Sequence, residues 1–495
     1  MSEVKVNKVS PRSGTTLTIG DSGDTTNIVG TLQNNGAALV GDISSVVAGT
    51  GLSGGGTSGA VTLNVEAAQS GVTSLGTLTA LTVNGNVSID GGTVKLDGNY
   101  PTGTNNVALG NTALDSLTSG NENTAIGAVA LTANTSGCYN VAVGDNALAA
   151  NTTGNDNTTI GMRSLLNNTT GINNTGVGRN ALRENTTAAK NTAVGSSSLA
   201  CNTTGTRNTA VGFCSLTTNT TGDDNTAFGN DSLRSNTEGA NNVAVGKNAL
   251  VSNTTGDENT AVGCNTLGAN TTADNNTAIG AFALDTNTEG HSNVAVGRSA
   301  LTANTTADNN TAVGFSALST NTTGADNAAF GRRALNSNTT AAQNVAIGTC
   351  ALYTTTTGAN NTSVGNYSSK LNTTGASNVA IGYAALCTNT TGAENVAVGK
   401  DSLKASTTAS SNTAVGCAAL FGATTGGANT AMGIYAGYRV TTGSSNALFG
   451  YNAGANITTG ISNHVLGSSA GTDAVFNVTS ENNRIVVGNN NATNA

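Results

Sequence analysis

Apolar and polar positions recur along most of this chain with a period of 17 residues. From Asn106 onward the sequence follows the pattern Asn-[Thr/Val]-Ala-[Val/Ile]-Gly-x-x-Ala-Leu-x-x-Asn-Thr-Thr-Gly-x-x, and its first glycine recurs every 17 residues from Gly110 to Gly467. The resulting 22 units follow one another without an insertion or a deletion. Loops tolerate changes of length freely. The constant repeat length therefore indicates that every residue of the unit is part of the regular repeat structure.

The period and the residue types predict one coil of a parallel β-solenoid per unit. Repeats built from paired helices need about 33 residues or more, and many Gly, Asn and Thr residues disfavour helix. We predict short strands at Asn-Thr-Ala-Val and near Ala-Leu, with turns at the repeat glycine and around Asn-Thr-Thr-Gly. The predicted fold class is all-β, a parallel β-solenoid or β-roll of about 22 coils of 17 residues, with a small β-rich amino-terminal module.

Two apolar columns of the repeat are predicted to form interior ladders. The residue before the repeat glycine is apolar in every unit, as at Ile126 and Val143. Leu stands four residues after the glycine in nearly every unit, as at Leu114, Leu131 and Leu148. It is replaced only by Ser369, Gly437, Gly454 and Gly471.

Two further columns are the same in every unit and are interpreted as structural rather than ligand-binding. The repeat glycine, as at Gly110, Gly127 and Gly144, is expected where φ is positive or where another backbone comes close. The asparagine four residues earlier, as at Asn123 and Asn140, can cap a turn and hydrogen-bond along the axis. The second glycine, in Asn-Thr-Thr-Gly, is often Ala and is not expected to need a positive φ.

The alanine two residues before the repeat glycine, together with that glycine, predicts a smooth face of small residues. We expect such a face to pack against copies of the chain. Four segments are predicted: an amino-terminal module at 1–48, a glycine-rich β neck at 49–105, regular repeats at 106–432, and variant repeats with a distal cap at 433–495.

Composition and charge narrow the function classes. Charged residues make up 9% of the chain, against about 25% in ordinary globular proteins, so order has to come from stacked repeats. The net charge of −8 argues against nucleic acid as a partner.

No apolar run approaches the roughly 20 residues that span a bilayer, so membrane insertion is not expected. The start, MSEVKVNKVSPRSG, lacks the apolar segment of a secretory signal, so we do not expect signal-directed export.

Catalytic, cofactor-binding and metal-binding residues are not predicted, and the chain is not expected to be an enzyme. The seven cysteines are scattered over the repeat and form no ladder, which favours free thiols over a disulfide framework. His291 and His464 lack partners at metal-ligand spacing. Asp223 and Asp224 are interpreted as part of a solvated turn rather than an acid/base pair. The many Asn-Thr-Thr triplets match a glycosylation acceptor, but they follow from the repeat itself.

The repeat core, Asn-Thr-Ala-Val-Gly or Asn-Val-Ala-Ile-Gly, resembles the head repeats of trimeric autotransporter adhesins. The resemblance covers about 106–471 and implies a left-handed β-roll in which three chains pack side by side. The stretches 4–19 and 49–65 resemble tail-fibre and virion proteins of marine bacteriophages, in which the amino-terminal part attaches to the virion. This resemblance implies that the module at 1–48 is a virion-attachment module. The closing Asn-Arg-Ile-Val-Val-Gly at 483–488 resembles the segment that leads, in many such fibres, into a chaperone domain that is trimmed off after trimerisation.

These resemblances imply a homotrimeric fibre located on the virion, outside the cell. The implied partners are two further copies of the chain, other tail or baseplate proteins at the amino-terminal region, and a host surface receptor at the distal end. A cell-surface trimeric adhesin shares the fold and differs in its anchorage. An ice-binding solenoid is a weaker alternative, because the paired threonines are adjacent and point to opposite faces. A polysaccharide depolymerase ranks last.

Overall fold

A computed structural model of the chain describes residues 103–472 and 477–488, together with four strand segments nearer the amino terminus. Contacts divide the chain into two compact units, Met1–Val94 and Lys95–Ala495. The described residues contain strands and turns but no helix. Apart from the strand segments and residues 103–105, the predicted segments 1–48 and 49–105 lie outside the described residues.

The strands are two or three residues long. They are β1 (Gln33–Asn34), β2 (Ala37–Ala38), β3 (Leu52–Gly54), β4 (Leu63–Val65), β5 (Val107–Leu109), β6 (Thr124–Ile126), β7 (Val141–Val143), β8 (Thr158–Ile160), β9 (Thr175–Val177), β10 (Thr192–Val194), β11 (Thr209–Val211), β12 (Thr226–Phe228), β13 (Val243–Val245), β14 (Thr260–Val262), β15 (Thr277–Ile279), β16 (Val294–Val296), β17 (Thr311–Val313), β18 (Ala328–Phe330), β19 (Val345–Ile347), β20 (Thr362–Val364), β21 (Val379–Ile381), β22 (Val396–Val398), β23 (Thr413–Val415), β24 (Thr430–Met432), β25 (Ala447–Phe449), β26 (His464–Leu466) and β27 (Ile485–Val487).

Strands β5 to β27 form one parallel sheet in which each strand pairs with the next one along the chain. Equivalent residues of successive repeats lie opposite each other, as in the pair Ala193 and Ala210. Strands β1 and β2 pair antiparallel, as do β3 and β4. The predicted all-β fold, a parallel β-solenoid of about 22 coils spaced 17 residues apart, is confirmed.

The segments between the strands also form backbone hydrogen bonds to the equivalent segments of the neighbouring coils. The N–H of Gly195 donates to the carbonyl of Val177 at 2.7 Å, and that of Leu199 to Ser215 at 3.0 Å. The strand predicted near Ala-Leu is wrong, because this segment turns. Its leucine and the residue two after the repeat glycine both have positive φ, 49° at Leu199 and 58° at Ser197.

The repeat glycine occupies a backbone position that excludes a side chain. Its φ lies between 128° and 142° from Gly110 to Gly488. A Cβ at Gly127 would meet the carbonyl oxygen of Gly144 in the next coil at 2.3 Å, and Gly110 and Gly144 are placed in the same way. The glycine of Asn-Thr-Thr-Gly, such as Gly154, does not have a positive φ, which fits the alanines found in that column.

Most coils bury one leucine against one alanine. Leu114, Leu131 and Leu148 are at most 1% exposed, and the strand alanines Ala125 and Ala142 are fully buried. The leucine holds a left-handed backbone, at 51° for Leu131. That conformation costs a bulky residue about 1–2 kcal/mol, and burial of the side chain, about 1.5–3 kcal/mol, offsets it.

The prediction that Ile126 and Val143 lie inside is wrong. Each strand has three residues, and only the middle one points into the coil. That residue is the alanine, so the apolar residue that follows it faces outward, and Ile126 is 37% exposed. In these coils the buried leucine fills the interior beside the strand. The leucine is paired with the smallest available partner, so the face of small residues expected outside lies inside.

Two asparagine ladders complete the interior. Asn140 donates its backbone N–H and its side-chain amide to Oδ1 of Asn123, at 3.0 and 3.1 Å, and the amide also donates to the carbonyl of Gly154 at 2.9 Å. The asparagine of Asn-Thr-Thr forms a second ladder, in which Asn151 donates to Oδ1 of Asn134 at 2.8 Å. Both columns are fully buried at these positions. The hydrogen bonds along the ladders satisfy the buried amide groups, which would otherwise destabilise the fold.

The last coils fill the interior in a different way, as their altered sequence predicts. Gly437 and Gly454 replace the leucine, and the space is taken by Leu448 in the alanine column and by Val440 and Ile457 in the second asparagine column, all fully buried. A Cβ at Gly437 would lie 2.7 Å from Cδ1 of Leu448. Exchanging large and small residues between columns preserves the filled volume.

Coil geometry continues past the point where the repeat phase is lost. β27 pairs in parallel with β26, with Ile485 opposite His464. Gly488 follows Gly467 by 21 residues rather than 17 and has a φ of 134°, like the other repeat glycines. The N–H of Arg484 donates to Oδ1 of Asn463 at 3.0 Å. The change of phase is therefore a longer coil rather than the end of the solenoid.

One coil interrupts the apolar interior. Ser369 stands in the leucine column and Ser363 in the alanine column, both buried. The hydroxyl of Ser369 has no hydrogen-bond partner among the described residues. The buried apolar cluster ends at Leu352 and a second one begins at Ala380. This coil is therefore the weakest joint in the described core.

Ser369→Leu is expected to raise the free energy of unfolding by about 1–3 kcal/mol, because it removes an unsatisfied hydroxyl and joins the two clusters. Leucines elsewhere in this column tolerate the same left-handed backbone. Ser377→Leu is the matched control, since Ser377 has a φ of 57° but is exposed. Denaturant unfolding followed by circular dichroism measures both variants. Equal effects of the two changes would contradict the interior position of residue 369.

Candidate functional site

The outer face of the parallel sheet is a continuous surface that runs along the described solenoid from β5 to β27. Strands β5 to β27 turn their first and third residues outward, and the third is Val, Ile, Leu, Phe or Met in every strand. Several of these side chains are well exposed, with Phe228 and Leu466 each at 55%. We call the first and third residues of β5 to β27 the outer strand face.

The outer strand face contains no Asp, Glu, Lys or Arg in any of its strands. The first residue is Thr or Val in most strands, and His464 is the one titratable side chain among the residues of β5 to β27 that form the face. Strands about 4.8 Å apart extend this face over roughly 100 Å, with an area on the order of 1,000 Å². The largest apolar patches on ordinary monomers cover about 300–600 Å². A face this large and free of charge is typical of a surface that another protein covers.

Charged side chains lie on the other sides of the coil. The guanidinium of Arg207 binds the carboxylate of Asp224 at 2.6 and 2.7 Å, and Lys404 lies 2.9 Å from Asp401. Surface pairs of this kind contribute at most about 1 kcal/mol. Their position confirms that the variable columns of the repeat face solvent.

Asp223 and Asp224 do not form an acid/base pair. The hydrogen bond from Arg207 lowers the pKa of Asp224, so this carboxyl stays ionised and is a poor proton donor. Asp223 accepts hydrogen bonds from the backbone N–H and the hydroxyl of Thr206, at 2.6 and 2.9 Å. Both carboxylates join neighbouring coils at the surface.

The histidines and cysteines do not come together in the described part of the chain. Nδ1 of His291 accepts the backbone N–H of Asp274 at 3.0 Å. The seven cysteines are free thiols, and burial raises the pKa of the Cys387 thiol, which keeps it protonated and unreactive. Among residues 103–472 and 477–488, no group of three His, Cys, Asp or Glu side chains is placed to hold a metal ion.

The asparagines of the Asn-Thr-Thr triplets are not available as glycan acceptors in the folded chain. Asn151 and Asn168, for example, are fully buried. Their amides are also hydrogen-bonded within the second ladder. The match to the glycosylation motif therefore follows from the repeat, as its periodicity suggests.

Sequence reasoning assigned the leucine, glycine and asparagine columns to the framework and missed the outer strand face. Ile126 and Val143 belong to this face, whereas Leu114, Leu131, Leu148, Gly110, Gly127, Gly144, Asn123 and Asn140 lie within the coil or at its corner. The absence of charge from both outward columns was visible in the sequence and could have identified the face.

Within the residues that the structure describes, no helix is long and apolar enough to cross a bilayer. Comparison of the chain with known protein families, with curated proteins and with solved structures finds no match to any of them.

Proposed function

We propose that this chain is the structural fibre protein of a phage virion, a homotrimeric rod that attaches to the particle by its amino-terminal region and presents a distal surface to the host. The observation that carries the proposal is the outer strand face, in which the third residue of every strand from β5 to β27 is apolar and no Asp, Glu, Lys or Arg occurs. An isolated chain would leave this face in water.

The size of the face supports assembly into a rod of several chains. A standard stable interface buries about 800 Å² on each partner, and the outer strand face offers on the order of 1,000 Å². Interface centres are depleted of charged residues, as this face is. Three copies placed side by side with their outer strand faces toward a common axis would cover the apolar row along its whole length. Three is also the number in the adhesin heads that the repeat resembles.

Ice binding would use the same face but fits its residues less well. A lattice-matching surface needs a regular array, and here Thr alternates irregularly with Val in the first column, while the third column includes Phe228, Phe330 and Met432. The first threonine of Asn-Thr-Thr is engaged along the axis, since the hydroxyl of Thr203 donates to the carbonyl of Thr220 at 3.0 Å. Thermal hysteresis in a solution of the protein would favour ice binding over the fibre.

Localisation of the native protein tests the proposed function against the adhesin alternative. Antibodies against the purified chain would be applied, with gold labelling, to virus particles and to the envelope fraction of the host cell. Label on thin appendages of the particles is the expected result. Label confined to the cell envelope would overturn the phage assignment in favour of a cell-surface adhesin.

A further inference from the structure

Aromatic side chains are concentrated near the carboxy-terminal end of the solenoid. Tyr, Phe and Trp together make up 3% of the chain, yet six of its eight tyrosines lie between Tyr353 and Tyr451. Most of these occupy positions one, two and five residues after the repeat glycine. Those positions form a side of the coil separate from the outer strand face.

The rings contact one another across successive coils. Phe421 and Tyr438 stack with centroids 5.0 Å apart and planes 18° apart, and Tyr435 meets Tyr438 edge-on at 5.5 Å. Tyr435 also approaches Tyr451 at 6.5 Å. Tyr435 and Tyr451 remain 40% and 53% exposed. A row of rings in contact and still open to water is a platform on which a flat apolar surface can stack.

A second group of rings continues the row toward the middle of the chain. Tyr367 and Tyr383 meet edge-on at 6.1 Å, and Tyr383 is 50% exposed. The ammonium of Lys370 lies 5.3 Å from the ring of Tyr367, and that of Lys404 lies 5.7 Å from the ring of Phe421. Together the rings span six coils, about 25 Å along the axis.

This side of the solenoid carries positive charge in an acidic chain. Four cations lie among or beside the rings, namely Lys370, Lys400, Lys404 and Arg439. One carboxylate, that of Asp401, lies in the same region. The whole chain has a net charge of −8. Lys400 and Arg439 are exposed and form no ion pair with any residue in the described part of the chain. We call these rings and cations, from Tyr367 to Tyr451, the aromatic-basic face.

We propose that the aromatic-basic face binds an acidic polysaccharide. The C–H faces of pyranose rings are apolar and carry a slight positive charge, which suits the negative face of an aromatic ring. The carboxylates of uronic or other acidic sugars would pair with Lys400 and Arg439. Single-stranded nucleic acid is also recognised by rings and cations, but it needs many phosphate contacts. A chain of net charge −8 with four cations on this face is poorly suited to those contacts.

This inference deepens the proposed function and rests on it for the biological setting, since it assigns the surface that meets the host. The binding itself can be measured on the purified full-length chain. Titration calorimetry would use polygalacturonate as the acidic probe, dextran as the neutral one, and a single-stranded oligonucleotide as the competing class. The wild-type chain is expected to bind polygalacturonate, to bind dextran more weakly, and to lose affinity as salt rises.

Substitutions on the aromatic-basic face, compared with one distant control, test where the polysaccharide binds. Tyr435→Ser with Tyr451→Ser is expected to weaken polygalacturonate binding about tenfold or more, and other repeats carry Ser at both positions, so the fold is retained. Lys400→Gln with Arg439→Gln is expected to weaken binding and to reduce its dependence on salt. Tyr139→Ser is the control, because Tyr139 is 55% exposed but lies far along the axis from the aromatic-basic face.

Three outcomes would overturn the inference: no binding of polygalacturonate by the wild-type chain, equal binding by the wild-type chain and both double variants, or a preference for the oligonucleotide. Failure of polysaccharide binding in a chain that still assembles and still labels virus particles would remove this inference alone. Failure of assembly or of particle labelling would count against the proposed function instead.

Discussion

Leu250→Asp is expected to lower the free energy of unfolding by at least about 3–5 kcal/mol, more than a substitution at any partly exposed position of the same coil. Leu250 is fully buried between leucines of the neighbouring coils. The change removes its apolar contacts and places an unpaired carboxylate in the interior. Because each coil contacts only its neighbours, the defect would divide the solenoid into two shorter stacks.

Backbone strain cannot produce this result. Leu250 has a φ of 51°, a conformation that Asp tolerates better than Leu. Val251→Asp is the matched control, because Val251 is adjacent in sequence but partly exposed. Thermal and denaturant unfolding, followed by circular dichroism, would compare the two variants with the parent chain. Unchanged unfolding of Leu250→Asp would show that the leucine column is not inside the coil.

Glutamates on the outer strand face are expected to dissociate the assembly without unfolding the chain. The variant carries Val211→Glu, Val245→Glu and Ile279→Glu, in every second coil, so that the new charges do not lie in adjacent strands. These side chains face water in a single chain but would face each other between chains. The assembly would then have to bury unpaired like charges, at several kcal/mol for each coil.

The control for the outer-face variant places the same three charges on another side of the coil. Thr221→Glu, Thr255→Glu and Thr323→Glu alter exposed positions in a column that already contains Glu238 and Glu289. Sedimentation velocity is expected to show single chains for the outer-face variant and the parent assembly for the control, with similar circular dichroism for both. An intact assembly in the outer-face variant would show that the chains meet elsewhere.

Much of the fold could be predicted from the sequence, because a 17-residue phase without insertions leaves few architectures open. The direction of the strand side chains could not. Ala125 and Ile126 are both apolar, and their columns alternate, so periodicity allows either one to point inward. The usual expectation that the larger residue is buried is wrong here, because Leu131 already fills the narrow interior and leaves room only for alanine.

The polar interior was also hard to predict from the sequence. Asn134 and Asn151 belong to a string that is typical of an exposed turn, and their burial depends on a partner 17 residues away that satisfies the amide. The carboxy-terminal coils were more predictable, because the change from Leu to Gly at Gly437 and Gly454 signals different packing. The compensating residue, Leu448, became evident only from the contacts between coils.

The outer strand face is expected to be covered in solution by other copies of the chain, because water would otherwise meet its whole apolar row. The mass of the intact assembly, measured by light scattering or native mass spectrometry, tests this claim most directly. Three times the mass of the chain is the value expected if the outer strand faces meet around a common axis. A stable single chain at micromolar concentration, with its apolar row open to water, would contradict assembly through this face.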